Sequence, residues 1–252
     1  MEKIVRVYGW KPDLPDHRDI RYEEFVVEAA LPPIVDLRAQ CPPVYDQGAL
    51  GSCSGNAIAA AVDFERMKQG ESFITPSRLF IYYNERVDEN TIKSDSGAMI
   101  RDGMKSVNKP GVCKESNWPY VISRFTRKPT KKCYAEALNY QTLKYLRISR
   151  NISQWKACLA SGYPVILGFS VYESFESETT AKTGVVTIPL SDEKALGGHA
   201  VVCVGYDTYR SCLIVRNSWG ETWGDRGYFY LPFEYITNPD LSDDFWSIRL
   251  EK

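Results

Sequence analysis

Gln47-Gly48-Ala49-Leu50-Gly51-Ser52-Cys53-Ser54 sets a cysteine where a glycine-rich loop runs into the clearest helical pattern of the chain. Ala57, Ala60, Ala61, Phe64 and Met67 recur at helical spacing and Gly70 supplies a stop, which predicts a helix over residues 53–69. A thiol at a helix N-terminus meets unpaired backbone N–H groups and the positive end of the helix dipole, both of which favour thiolate. The residue type and position fit a nucleophile; taken alone, they fit equally a small buried cysteine packing a helix start.

Helices are also expected over 77–87, with Tyr82 and Tyr83 inward, and over 97–107, with Ile100, Met104 and Val107 inward. Beyond residue 140 the pattern changes. Residues 164–171, 183–189, 199–206, 212–217 and 227–231 are short runs rich in Val, Ile and Tyr, bounded by turn residues, and read as strands, as does 34–38. A helical part followed by a strand-rich part implies an α+β fold with a cleft between two lobes. The 252 residues are 44% hydrophobic and 25% charged, with 31 Lys and Arg against 32 Asp and Glu, so no charge bias points to nucleic acid or an anionic membrane. No apolar run reaches the roughly 20 residues of a membrane-spanning helix. The stretch 124–132 carries Arg124, Arg127, Lys128, Lys131 and Lys132 without an acid and reads as a solvated loop, with an anion site as the alternative.

A cysteine nucleophile needs a base, and the chain holds only two histidines, His17 and His199. His199 enters an apolar strand in Gly197-Gly198-His199-Ala200-Val201-Val202, and Asn217 ends the next one ahead of Ser218-Trp219-Gly220. An asparagine carbonyl can hold an imidazole N–H and fix the ring.

Gln47 to Cys53, Gly198-His199-Ala200 and the block Asn217-Ser218-Trp219-Gly220-Glu221-Thr222-Trp223-Gly224-Asp225-Arg226-Gly227-Tyr228 together resemble the papain family of cysteine peptidases over roughly residues 31–235. The resemblance implies a papain-like two-lobed fold: a helical left lobe roughly over 45–140, a β-barrel-like right lobe roughly over 141–252, and an active-site cleft between them. Residues 31–252 would be the peptidase domain and 1–30 an N-terminal extension. It further implies a Cys53–His199 thiolate–imidazolium pair, Asn217 orienting the ring, Trp219 shielding that contact, and Gln47 with the Cys53 N–H as oxyanion hole. Ser96, Gly97, Met99, Gly198, Ala200 and Trp219 would bind substrate, Gly97 through its backbone. Met99 and Ala200 would favour an apolar residue second before the scissile bond, unless Met99 only packs a helix. Peptide or protein substrates, endopeptidase action, a monomer and an intracellular setting are expected, without a metal or organic cofactor. A cleft-binding homologue without activity and a thiol isopeptidase or acyltransferase are the alternatives.

The chain departs from the family at Leu50, where a disulfide cysteine is usual, and at Ser54, where an aromatic is usual. Seven cysteines are an odd number; Cys113 and Cys133 are placed to bridge, whereas Cys203 and Cys212 are expected to stay free. About 30 residues precede the expected fold here, so no long helical prodomain is expected. The proline-stiffened run Gly9-Trp10-Lys11-Pro12-Asp13-Leu14-Pro15 is expected either to cross or flank the cleft, anchored by Tyr8 or Trp10, or to pack away from it.

Overall fold

Helix α1 (Cys53–Lys68) is buried on every side for most of its length, because its alanines and Gly55 let neighbours approach closely. A Cβ at Gly55 would stand 2.8 Å from the Arg78 carbonyl, so this glycine sets the closeness of α2 (Arg78–Asp88). The computed structural model describes residues 7–23, 30–141 and 144–250. The expected N-terminal extension therefore lies partly outside the described residues.

On one side α1 packs against α2 and α3 (Ile100–Asn108); on the other it packs against the sheet. Two two-residue strands, β1 (Trp10–Lys11) and β3 (Ala98–Met99), pair in parallel, so the N-terminal segment is tied to the helical half. The large sheet contains β2 (Ile34–Asp36), β4 (Lys144–Arg147), β5 (Val165–Tyr172), β6 (Ala195–Asp207), β7 (Cys212–Arg216), β8 (Tyr228–Pro232) and β9 (Ser242–Arg249). Its order is β4-β9-β5-β6-β7-β8 with β2 added on β6, every pairing being antiparallel. The expected α+β class and papain-like layout hold, and the sheet stays open between β4 and β8.

Several local expectations change. The helix expected over 97–107 begins at Ile100, because Gly97 has φ +69° and residues 98–99 pair with β1. No strand forms over 183–189: Ser177 caps a short helix α6 (Glu178–Thr183), Gly184 closes it at φ +70°, and only Val185 makes an isolated bridge to Tyr230. The basic loop ends early, since Thr130 caps α4 (Lys131–Ala137) by accepting from the Cys133 N–H. Helix α5 (Ile152–Ala160), capped by Asn151, and strands β4 and β9 were not expected. All seven cysteines are free thiols; Cys113 hydrogen-bonds Cys133 instead of bridging to it. Among the described residues no helix is long and apolar enough to cross a membrane.

Candidate active site

Cys53 opens α1 and therefore sits where the helical half meets β6. The loop before it is held from several directions. The Gly51 N–H donates to the Asp95 carboxylate at 3.0 and 3.1 Å, and Tyr82 Oη donates to the same group at 2.5 Å. Tyr120 Oη donates to the Gln47 carbonyl at 2.8 Å and lies 2.5 Å from Ser52 Oγ. The Gln47 N–H donates to the Ser218 carbonyl at 2.9 Å, and Ser218 Oγ donates to Gln47 Oε1 at 2.6 Å. With its oxygen so engaged, the Gln47 amide turns Nε2 toward the loop, where it donates to the Leu50 carbonyl at 3.0 Å.

The hairpin between β6 and β7 brings together two residues 18 apart: His199 Nε2 and Asn217 Oδ1 stand 2.8 Å from each other. Asn217 Oδ1 also accepts the Ser218 N–H at 2.8 Å, which fixes the amide orientation. Nε2 of His199 is therefore the protonated nitrogen, and Nδ1 is the basic one in the neutral ring. Trp219 stacks on the imidazole at 5.0 Å and 27°, while Phe169 meets it edge-on at 5.8 Å. Phe175 and Trp223 in turn hold Trp219, at 5.4 and 5.1 Å. The glycines of the 217–228 block make this turn possible: Gly220, Gly224 and Gly227 all have positive φ, and a Cβ at Gly224 would meet the Tyr228 carbonyl at 2.3 Å.

The thiol of Cys53 accepts from the backbone N–H groups of Ala200, Gly9 and Ser54, which places it beside the residue that follows His199. Burial nevertheless pushes its pKa up to about 11, helped by the nearby Glu85 carboxyl. In this closed arrangement burial opposes the ionisation that the backbone N–H groups and the helix N-terminus favour. Ser54, which stands where the family has an aromatic, donates to Glu85 Oε2 at 2.8 Å. Glu85 is fully buried and burial pushes it up to about 8.

What excludes water is the N-terminal segment. Residues 7–11 cross the site: Gln47 Nε2 donates to the Val7 carbonyl at 3.2 Å, and the Ala98 N–H donates to the Gly9 carbonyl at 2.7 Å. A Cβ on Gly9 would stand 1.8 Å from the Gly51 carbonyl, so only glycine passes between the two walls. Tyr8 stands edge-on to His199 at 6.1 Å and its Oη bonds Glu176. The Trp10 indole lies over Gly168 and Gly198, with Nε1 donating to Asp244 Oδ2 at 3.0 Å. Farther along, Asp13 accepts from the Arg101 N–H at 3.0 Å and Trp246 Nε1 at 2.9 Å, and Asp19 pairs with Arg101 at 2.6 Å. Of the two placements expected for this segment, the structure has the crossing one, with both Tyr8 and Trp10 in contact.

The structure thus gathers Cys53, His199, Asn217, Gln47, Trp219 and Ala200 into one buried cluster, with Gly198 half-buried at its edge. Gly97 and the 98–99 strand line the opposite wall, where a Cβ on Gly97 would meet the Gly9 carbonyl at 2.1 Å. Ser96 and Met99 lie beside that wall, Ser96 Oγ donating to the Gly97 carbonyl and the Met99 N–H donating to Glu89. Asp95, Tyr120, Ser218 and Glu85 escaped the sequence reading; only the small Ser54 beside the cysteine hinted at a polar partner.

Residues 31–238 match the model of the papain family cysteine proteases. The chain is 42% identical to an uncharacterized peptidase C1-like protein of Acanthamoeba polyphaga mimivirus, over 98% of this chain and 88% of that one. It is 29% identical to cysteine proteinase 1 of Entamoeba histolytica, over 87% and 70% of the two chains. Among solved structures, xylellain, a cysteine protease from Xylella fastidiosa, superposes with a TM-score of 0.91 at 46% identity, covering 97% of this chain and 96% of that one. Procathepsin L 3 of Tenebrio molitor shares the fold, with a TM-score of 0.71 at 19% identity over 92% and 75%. By its matched family, its relatives and its fold, the chain belongs to the papain family of cysteine proteases and acts on peptide or protein substrates.

Proposed function

We propose that the chain hydrolyses peptide bonds through Cys53, and that residues 7–11 keep this centre latent until they swing away. In the open state His199 Nδ1 takes the thiol proton and the sulfur attacks the substrate carbonyl. The carbonyl oxygen takes up negative charge between Gln47 Nε2 and the Cys53 N–H. The C–N bond then breaks as the imidazolium returns its proton to the leaving amine, leaving a thioester. Water, deprotonated by the same imidazole, hydrolyses that thioester and regenerates the thiol. Asn217 and Trp219 hold the ring for both transfers.

The observation that carries the reading is the Val7 carbonyl on Gln47 Nε2, beside Gly9 against Cys53. A peptide group of the chain itself takes the donor that a substrate carbonyl would need, while burial works against ionisation of the sulfur. Turnover of a fluorogenic peptide by the native chain and by Cys53→Ala tests the reading. The variant should keep its circular dichroism spectrum and lose all turnover. Gln47→Ala should lose about 100 to 1000-fold, as removal of one oxyanion donor does elsewhere. Equal turnover by Cys53→Ala would exclude Cys53 as the nucleophile.

A further inference from the structure

The basic run 124–132 takes no part in the catalytic cluster, yet it is held as a firm surface. Arg124, Arg127, Lys128, Lys131 and Lys132 are all exposed, and among the described residues none of the five pairs with a carboxylate. The backbone beneath them is fixed by Arg86 on α2, which is fully buried. Its guanidinium donates to the carbonyls of Tyr82 at 3.1 Å, Ile92 at 2.9 Å, Ser94 at 3.2 Å and Phe125, and it lies over the Phe125 ring at 5.0 Å. Pro129 is buried and Thr130 caps α4, which fixes the other end of the run. Beside it lies a groove of about 720 Å³. Val87, Ile92, Pro129 and Tyr134 make it apolar, Lys128 and Lys131 charge it, and no carboxylate lines it. The polar atoms of its floor are used internally: Tyr134 Oη donates to Asn84 Oδ1 at 2.9 Å, and Asn84 Nδ2 donates to the Phe80 carbonyl at 2.8 Å. Val87 on its wall is 39% exposed. At the near end, Ile122 adjoins the loop that leads to Cys53, since a Cβ at Gly48 would stand 3.0 Å from Ile122 Cδ1.

We infer that this face is a docking surface for protein substrates, apart from the catalytic cluster, and that it holds a segment in which an aromatic or large aliphatic side chain sits among Asp and Glu residues. The apolar side chain fills the groove between Val87, Ile92 and Tyr134, and the flanking carboxylates meet Lys128 and Lys131. Two features select an acidic peptide as the occupant. Cations without carboxylate partners complement its charge, and an apolar groove between two lysines suits a side chain, which a phosphate backbone does not offer. Because the run is tied down by Arg86, Pro129 and Thr130, little ordering is lost on binding. The inference names a substrate class for the proposed peptidase and so rests on that reading, although the binding step itself does not use Cys53.

The test is binding to the full chain carrying Cys53→Ala, read as the fluorescence anisotropy of a labelled peptide with one Phe among Asp and Glu residues. The peptide should bind, less tightly as NaCl is raised. Affinity should fall about tenfold or more when its acids become Asn and Gln, when its Phe becomes Ser, or when the chain carries Lys128→Glu with Lys131→Glu. Lys182→Glu, the same charge change on the exposed face of α6, should leave it unchanged. With Cys53 intact and Trp10→Ala, joining the acidic segment to a fluorogenic substrate through a series of flexible linkers should raise kcat/KM about tenfold or more through a lower KM. The two lysine substitutions should remove that gain and leave hydrolysis of the plain substrate unchanged. No binding, equal affinity for the neutralised peptide or for the doubly substituted chain, or no gain with any linker would overturn the inference. Tighter binding of a single-stranded oligonucleotide or of phosphatidylserine vesicles would overturn it as well. Binding as expected, in a chain whose Cys53 neither hydrolyses nor alkylates, would overturn the peptidase reading and leave the docking surface standing.

Discussion

Replacing Trp10 by alanine should open the active site. Two contributions are lost. The indole N–H bond to Asp244 Oδ2, at 3.0 Å, engages a buried charged acceptor, and such bonds contribute about 1.5–3 kcal/mol. The ring itself is half-buried against Gly168 and Gly198; roughly 100 Å² of apolar surface at about 25 cal/mol/Å² adds about 2.5 kcal/mol. Water entering the emptied slot and solvating Asp244 returns part of this, leaving a net loss of about 3 kcal/mol in closure. At about 1.4 kcal/mol per tenfold, the open fraction rises roughly 100-fold, up to the point where every molecule is open. Only open molecules turn over, so kcat/KM for a fluorogenic peptide should rise by the same factor. Tyr8→Phe is the comparison: it removes a solvent-exposed hydrogen bond to Glu176, and its gain should stay below about fivefold. If Trp10→Ala remains folded and its kcat/KM rises less than about threefold, residues 7–11 do not gate the site.

Three further outcomes follow from the same contacts. Gly168→Val should displace the indole, since even a Cβ would lie 2.0 Å from it; Cys53 should alkylate faster, yet peptides with a large second residue should be hydrolysed poorly because the slot is filled. Unchanged alkylation would contradict the packing. Burial and the neighbouring Asp244 push Asp13 up to about 7 from the ordinary carboxylate value of 3.8, although Arg101 and the Trp246 indole partly offset them and Arg147 stands 3.6 Å away. A raised pKa in the closed state means closure takes up a proton, so closure is strongest below about pH 4 and weakens as pH rises through about 7. The activity ratio of native chain to Trp10→Ala, which divides out the catalytic titrations, should climb from pH 4 to pH 8 and flatten in Asp13→Asn; a flat native ratio refutes the argument. Ser54→Ala removes the donor that holds Glu85 Oε2 at 2.8 Å, and should destabilise the fold by about 1–3 kcal/mol, read as a lower Tm. An unchanged Tm would show that water replaces that donor.

The catalytic cluster could be read from the sequence because its parts are short and chemically distinctive: a cysteine at a loop–helix junction, one strand histidine, and an asparagine ahead of a glycine-rich turn. The helix at Cys53 was readable from alanines and Phe64, since α1 is central and its spacing is regular. Strand β9 was not, because Asp243, Asp244 and Arg249 look like surface residues, although Phe245, Trp246 and Ile248 are buried between β4 and β5. Helices α4 and α5 announced themselves only by Thr130 and Asn151, single cap residues hidden by a run of lysines and by an irregular apolar pattern. Val185, Val186 and Ile188 suggested a strand, yet the Ser177 cap and Gly184 turn imposed a helix and one bridge. The rest of the site, Asp95, Tyr120, Ser218 and Asp244, depends on contacts across long sequence separations, which no local pattern carries. For the same reason the burial of Cys53 was not legible: the helix N-terminus is local, whereas residues that cover the cysteine, such as Gly9, are distant in sequence.

The most direct measurement is peptide mapping after exposure of the native chain and of Trp10→Ala to an epoxysuccinyl peptide, which alkylates an activated thiol. The account predicts one adduct, on Cys53, forming slowly in the native chain and roughly 100-fold faster in Trp10→Ala, with the other six cysteines unmodified. An adduct on any other cysteine, or none on Cys53 in the opened chain, would contradict it.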